Sequence, residues 1–160
     1  MDILAHGLWT AAVYSRWQLR ARWWAVLFGI APDLLSFGFF FVATFFTGNW
    51  HMGPPNISLV PNYVFTLYNI WHSVFVWLLI FLVAWLINKK PWWPLAGALL
   101  HIAIDAPLHE ADFFPTPWLW PFSSYVVDGI SWAHPMFMLI NYSCLAIIYT
   151  AWFFWRKRKI

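Results

Sequence analysis

Long apolar runs, separated by short basic clusters, are the feature that most constrains the fold of this chain. The runs cover residues 3–14, 25–47, 63–87, 92–109 and 135–155. An α-helix needs about 20 apolar residues to cross the hydrocarbon core of a bilayer, and three of the runs reach that length. The pattern predicts an all-α integral membrane bundle of about five membrane helices, two of them short.

The amino-acid composition supports this assignment to the membrane. Apolar residues make up 62% of the 160 residues and charged residues only 9%, with 15 tryptophans and 16 phenylalanines. A soluble domain usually carries about 25% charged residues. A soluble core of this size could not bury so many large apolar side chains, so lipid must cover much of the surface. We therefore expect one membrane-embedded helical domain over residues 1–160.

The nine basic residues indicate how the bundle is oriented. They fall in three clusters, at 16–22, 89–90 and 156–159, which follow the first, third and fifth apolar runs. Lysine and arginine accumulate on the cytoplasmic side of membrane proteins, so all three clusters are expected there. The N-terminus then lies outside and the C-terminus in the cytoplasm. Anionic lipid accounts for the net charge of +3, and no nucleic-acid partner is predicted.

A long loop at 110–134 connects the last two apolar runs on the outer side. It contains no lysine or arginine and is rich in proline and aromatic residues. Loops of this length are usually functional or disordered, and this one is too aromatic for a solvated linker. The composition predicts a lid that rests in the outer interface. A simple interfacial anchor explains it equally well.

Three metal-ligand side chains, His101, Asp105 and His109, lie four residues apart in the fourth run. An offset of four residues moves only about 40° around an α-helix, so the three are expected on one face. Ionisable groups are costly inside a membrane and usually mark function. Pro107 lacks a backbone donor and predicts a kink or helix end near Ala106, which affects the placement of His109 most.

The other helices supply further candidate ligands: His6, Asp33 and His72. Counted from the polar ends of their runs, Asp33, His72 and His101 lie near mid-membrane, within a turn or two of one another. His6 starts closer to the outer face. Taken singly, a membrane histidine often only bonds to a neighbouring helix, and Asp33 after Pro32 suits the cap of a broken helix. Together, they predict one polar cavity in the outer half of the bundle.

Imidazole and carboxylate together suit zinc or another first-row divalent ion. Six candidate ligands exceed the four of one tetrahedral zinc. Either two ions are bound, or some of the six only orient the others. Glu110 directly follows His109 and is the first candidate for a catalytic general base, with Asp112 as the second.

The order of these motifs resembles the membrane-bound metal-dependent hydrolase family. The motifs are His6-Gly7, Pro32-Asp33, His72-Ser73, His101-x-x-x-Asp105 and a Pro-aromatic-Pro segment at 117–122. That family is itself similar to zinc-dependent phospholipases C and P1-type nucleases, which also use a helical His-x-x-x-Asp. The resemblance implies a metal-dependent hydrolase with a zinc-like site.

The functional expectation is hydrolysis of a lipid or lipid-linked ester or phosphoester from the outer leaflet. Metal would acidify a bound water and offset charge on the reacting oxygen. The expected location is the cytoplasmic membrane of a bacterium or archaeon, with the active site facing outward. Two alternatives remain: a metal-ion or proton carrier, since buried histidine and aspartate chains also suit transport, and a haem protein with His72 and His101 as axial ligands.

Overall fold

The computed structural model describes residues 1–49 and 53–157, so Arg158 and Lys159 of the last basic cluster lie outside it. The described residues form helices, turns and loops, without a β-strand, as the sequence predicts. The α-helices in chain order are α1 Ile3–Val13, α2 Leu19–Phe46, α3 Asn62–Trp71, α4 Val74–Asn88, α5 Ala96–Asp105 and α6 Pro135–Lys157. Short 3-10 turns precede α3 and α5, at Ile57–Leu59 and Trp93–Leu95.

The centre of the bundle is α2, which packs against α1, α3 and α5. It continues through Pro32 without a break, so Asp33 lies inside a helix and does not cap one. Its approach to α5 is very close. A Cβ atom added to Gly97 would lie 2.3 Å from the carbonyl oxygen of Ala25, so only glycine fits there. Small residues at such crossings let helix backbones meet inside membranes.

The third apolar run folds as two helices, α3 and α4, which meet at a bend of 56° around His72 and Ser73. Ser73 caps α4, and its side chain accepts a hydrogen bond from the amide of Val76 at 3.3 Å. The long loop satisfies other polar groups at the bend. The amide of Val74 donates to the carbonyl of Trp118 at 3.0 Å. The long loop thus satisfies a backbone amide that the break between α3 and α4 leaves without a helical partner.

The fifth helix ends at Asp105, two residues before Pro107, as the proline predicts. Beyond it, the segment 107–109 runs against 129–132 of the long loop. The amide of Gly129 donates to the carbonyl of His109 at 2.9 Å, and a Cβ at Gly129 would lie 2.1 Å from the carbonyl oxygen of Pro107. This contact keeps His109 close to the helix end.

The last helix, α6, packs beside α1 and is tied to it by side-chain hydrogen bonds. Tyr142 donates to Asp2 at 2.9 Å, and Trp9 donates to Asn141 at 2.8 Å. Tyr149 donates to the carbonyl of Leu8 at 2.9 Å. Bonds of this kind are a common means of joining helices where lipid supplies no hydrophobic driving force.

Two helices within the described residues are long and apolar enough to cross a membrane, Leu19–Phe46 and Pro135–Trp155. The bent pair of α3 and α4 is a third if it acts as one span. The remaining predicted spans are the shorter apolar helices Ile3–Val13 and Trp93–Asp105. Outward-facing side chains such as Phe39 and Ile87 are each 73% exposed, which suits contact with lipid.

Candidate metal centre

Four buried side chains from three of the helical segments converge on one point between the helices. Asp33 comes from α2, His72 from the end of α3, and His101 and Asp105 from α5. Each offers one ligand atom, and these atoms all lie within 4.8 Å of one another. The group, called the cluster below, could hold a metal ion.

The spacing of the ligand atoms suits a single small cation. The Nε2 atoms of His72 and His101 lie 3.2 Å apart. Asp33 Oδ1 lies 3.5 Å from the first and 3.7 Å from the second, and Asp105 Oδ2 lies 3.2 Å from Nε2 of His101. Ligands about 2.0–2.2 Å from a tetrahedral zinc are about 3.3–3.6 Å from one another. Four of the separations are therefore close to those of a tetrahedral site, while His72 Nε2 and Asp105 Oδ2 lie further apart, at 3.9 Å.

His101 is oriented by a backbone carbonyl of the neighbouring helix. Its Nδ1 lies 2.7 Å from the carbonyl oxygen of Gly29, which can only accept a hydrogen bond, so Nδ1 carries a proton. The close crossing of α2 and α5 at Gly97 brings this carbonyl within reach. Metal-bound histidines are usually held in this way, with the second ring nitrogen left to the metal.

His72 has the same arrangement at the bend between α3 and α4. Its Nδ1 lies 3.2 Å from the carbonyl oxygen of Tyr68, one turn earlier in α3. The ring of Tyr68 stacks on the imidazole with centroids 3.8 Å apart, and its hydroxyl donates to the carbonyl of Phe114 at 2.9 Å. Tyr68 therefore fixes the ring plane of His72 and links it to the long loop.

The chemistry of the cluster calls for a cation. In their neutral forms, with both Nδ1 atoms protonated, His72 and His101 would present lone pairs to each other across 3.2 Å. Two carboxylates add more acceptors and no donor. Asp105 Oδ2 lies near several imidazoles but receives no aligned hydrogen bond, although it is buried. Buried acceptors without a partner are costly, and a divalent ion would satisfy all four at once.

The remaining two predicted ligands lie against Asp105. His6 stacks on His101 with ring centroids 3.6 Å apart, and its Nε2 lies 2.9 Å from Asp105 Oδ1. His109 Nε2 lies 3.5 Å from Asp105 Oδ2, and its ring is buried although α5 has ended. The backbone nitrogen of Met1 contacts Asp105 Oδ1 and lies 3.3 Å from His109 Nε2. Asp105 thus joins the cluster to a second polar group.

The two predicted proton acceptors are placed differently. Glu110 and Asp112 are exposed in the loop that follows His109, whereas the cluster is buried. Their part in catalysis stays a prediction.

An apolar cavity of about 610 Å³ reaches the cluster from one side. Phe37 and Phe41 of α2 and Phe114 of the long loop form part of its wall. Asp33, Tyr68 and His109 line it as well, so this wall includes one cluster carboxylate. Enclosed apolar pockets with a few convergent polar groups are typical of ligand sites, which measure about 300–1,000 Å³.

Several residues that build the site were missed in the sequence. Gly29, Gly97 and Gly129 allow the close backbone contacts, and Tyr68 orients His72. A signal was present for Gly29. Ala25 and Gly29 are four residues apart in an apolar run, and small residues at this spacing indicate a tight helix crossing.

No protein-family model, curated protein or solved structure matches the chain. The chemistry of the cluster and of the cavity beside it is therefore what indicates a function.

Proposed function

We propose that the protein is a membrane-embedded metal-dependent hydrolase that acts on a lipid or lipid-linked ester or phosphoester. One observation carries the proposal: two buried imidazoles and two carboxylates converge beside an apolar cavity. Metal hydrolases combine such a ligand set with room for a substrate and a water. The resemblance to the membrane-bound metal-dependent hydrolase family is part of the same proposal.

The metal that we propose is zinc, with one ion held by Asp33, His72, His101 and Asp105. Nitrogen and carboxylate ligands at tetrahedral spacing favour zinc over magnesium or calcium, which prefer six or more oxygens. His6 and His109 then hold Asp105 in position from outside the ligand set. A second ion at Asp105, His6 and His109 is the alternative, and the measured metal content distinguishes the two.

The substrate class follows from the cavity wall. Phenylalanines and other apolar side chains dominate the wall, while Asp33 and His109 mark the end that meets the cluster. An acyl or isoprenoid chain would lie along the apolar part and leave its ester group at the polar end. Among the residues that the structure describes, no lysine or arginine lines this wall, so the charge of a phosphoester would be met by the metal.

When bound, the divalent ion would acidify a water and offset the charge that develops on the acyl or phosphoryl oxygen. In the reaction, the water oxygen bonds to the acyl or phosphoryl centre, and the ester bond to the leaving alcohol breaks. His109 lies where the cavity meets the cluster, so it would contact the reacting group. Phe114 is buried and lies in the cavity wall, so the long loop covers this side of the site.

We propose the following membrane placement. The bent pair of α3 and α4 acts as one span, and the short helices α1 and α5 complete a bundle of five segments around the cluster. The three groups of lysine and arginine residues lie in the cytoplasm. The metal-ligand cluster and the long loop then face the outer leaflet. A substrate would enter from that leaflet, in a bacterial or archaeal cytoplasmic membrane.

The first test measures metal and hydrolysis in the same purified samples. Elemental analysis of the protein in detergent should find about one equivalent of zinc, and His101→Ala should retain less than about half an equivalent. The matched control is His134→Asn, which changes an exposed histidine and keeps a side chain able to cap α6. Hydrolysis of long-chain carboxylic and phosphodiester lipids, followed by mass spectrometry, should depend on His101 and not on His134.

Three outcomes would count against the proposal. Zinc that is absent, or equal in His101→Ala and the control, would remove the metal site. Flux of zinc or protons into liposomes that contain the protein, without hydrolysis of any lipid, would favour a carrier. A haem spectrum would favour the third alternative, although the Nε2 atoms of His72 and His101 lie 3.2 Å apart, which leaves no room for a macrocycle between them.

A further inference from the structure

A second cavity, of about 730 Å³, lies at the opposite end of the bundle from the cluster. Its wall includes Arg16, Arg22, Trp17, Trp152 and Trp155. Helix α1 separates it from the cluster: His6 contacts Asp105, and the helix ends at Val13, about 10 Å further along its axis. This cavity has no part in the proposed hydrolysis, and we call it the basic pocket.

The arginines of the basic pocket are held over tryptophan rings. The guanidinium carbon of Arg16 lies 5.6 Å from the ring centre of Trp155, and that of Arg22 lies 5.3 Å from the ring centre of Trp152. Stacking of this kind fixes a guanidinium plane and leaves its N–H edge available for an anion. The pocket therefore presents two cations beside tryptophan rings, Arg16 from the turn after α1 and Arg22 from the first turn of α2.

No acidic residue balances these charges. The chain has six, all within the described residues, and none of them lines the pocket. Arginine forms paired hydrogen bonds with phosphate oxygens, and phosphate is therefore the anion that two such groups fit best.

The position of the pocket points to a phosphate in the membrane and not to one in solution. The pocket lies where α2 begins at Leu19 and where the apolar span of α6 ends at Trp155, so it is level with the end of two candidate membrane spans. Lipid headgroups lie at that level, and tryptophan is enriched there. Leu19 and Trp17 line the pocket and are exposed, so a lipid chain could continue along the apolar helix surface below.

We propose that the basic pocket binds the headgroup phosphate of an anionic phospholipid, with Arg16 and Arg22 as its ligands. Basic pockets between membrane helices bind phospholipid headgroups in this way. The bound lipid would fasten α1 and α2 to the end of α6. It would act as a structural ligand of the bundle and not as a substrate.

The test compares lipids and soluble anions on the purified protein in detergent. Phosphatidylglycerol should raise the midpoint of thermal unfolding by several degrees and stay bound in native mass spectrometry. Phosphatidylcholine should do neither. Arg16→Gln/Arg22→Gln should bind phosphatidylglycerol at least about tenfold more weakly. The matched control, Arg20→Gln/Lys90→Gln, removes the same charge outside the pocket wall and should bind normally.

Other results would overturn the proposal. Equally weakened binding of phosphatidylglycerol in both double variants would mean that binding depends only on the overall charge of the protein. An equal rise in midpoint with millimolar inorganic phosphate or glycerol phosphate would assign the pocket to a soluble anion. Size-exclusion elution and helical circular dichroism test whether the double variant still folds. Arg16→Lys/Arg22→Lys provides a second check, because it keeps the charge and should recover only part of the affinity.

Discussion

The two polar regions of this bundle are built in opposite ways. At the cluster, acidic and imidazole groups are buried, and both histidine ligands are held by backbone carbonyls. At the basic pocket, arginine side chains lie over tryptophans at the surface of the bundle, and no backbone contact fixes them in the same way. The first region depends on how closely the helices pack, and the second on which side chains project from them.

This difference determines how each region should respond to change. A shift of a few tenths of an ångström between α2 and α5 alters the bond from His101 to the carbonyl of Gly29 and disrupts all four ligand positions. The same shift would barely move an arginine on a flexible stem. We therefore expect abrupt losses at the cluster and graded, salt-dependent losses at the basic pocket.

The largest effect is expected from Gly97→Ala, which tests whether helix packing controls the cluster. The added methyl would lie 2.3 Å from the carbonyl oxygen of Ala25 and 3.1 Å from the amide nitrogen of Gly29, and neither atom can move without the helix. The free energy of unfolding should fall by about 3 kcal/mol or more, which is the upper range for overpacking of a core. Thermal unfolding in detergent, with zinc content measured alongside, should show loss of both stability and metal.

The control for this change is Gly38→Ala in α2. A Cβ atom at Gly38 meets nothing within 4 Å, and alanine is the better helix former by up to about 1 kcal/mol. It should leave zinc content unchanged and stability equal or slightly higher. If Gly97→Ala bound zinc as the unsubstituted protein does, the cluster would not depend on this helix crossing.

The next largest effect is expected from Asp105→Asn, which removes charge and keeps shape. Asp105 contacts His6, His101 and His109, so the amide should lower zinc affinity by at least about 100-fold. The apoprotein should lose stability as well, because Asp105 is the buried partner of the Met1 nitrogen and removal of one member of such a pair leaves the other without its counter-charge. Competition with a chromogenic chelator measures the first quantity, and thermal unfolding without metal measures the second.

Asp112→Asn is the matched control, since Asp112 is exposed in the long loop. Its zinc affinity should equal that of the unsubstituted protein. If its hydrolysis rate falls while zinc stays bound, Asp112 takes the part of general base that the sequence predicts. Unchanged zinc affinity in Asp105→Asn would show that the ion, if bound, lies elsewhere.

The sequence predicted the cluster better than it predicted the spans. Counting residues from the polar ends of each run placed Asp33, His72 and His101 at one depth, because helices rise by a constant amount per residue. The same counting predicted one membrane helix over 63–87. The bend at His72 depends on a capping serine and on loop carbonyls more than 40 residues away, which apolar periodicity does not reveal.

The place of His109 was also beyond the sequence. Pro107 correctly predicted that α5 ends, and a helix end alone would leave His109 in the loop. The structure returns it to Asp105 through the backbone contacts of 107–109 with the segment around Gly129. Long-range pairing of two irregular segments leaves no periodic signal, so only a lone glycine in the loop indicated it.

A change of salt separates the two regions without any substitution. Screening lengths fall from about 8 Å at physiological ionic strength to about 3 Å at 1 M salt. At 1 M sodium chloride, the stabilisation by phosphatidylglycerol should largely disappear, while zinc content should stay the same because the cluster is buried. Thermal unfolding and elemental analysis of the same samples measure both. Loss of zinc together with lipid stabilisation would mean that the regions are coupled.

The smallest effect is expected from Tyr68→Phe, which removes only one side-chain hydrogen bond near the cluster. The hydroxyl bond to the carbonyl of Phe114 is lost, while the ring that stacks on His72 remains. The free energy of unfolding should fall by about 1–2 kcal/mol, since a buried carbonyl loses its hydrogen-bond partner. Zinc affinity should be unchanged, because the backbone carbonyl of Tyr68 still holds His72.

Tyr63→Phe on the same helix removes a hydroxyl from a partly exposed ring and should have no measurable effect. A drop in zinc affinity in Tyr68→Phe, but not in Tyr63→Phe, would show that the long loop orients His72 through this hydroxyl. The cluster would then depend on loop packing as well as on the crossing of α2 and α5. The cluster would then differ less from the basic pocket. One of its ligands, His72, would be oriented by a side-chain contact, as the arginines of the pocket are.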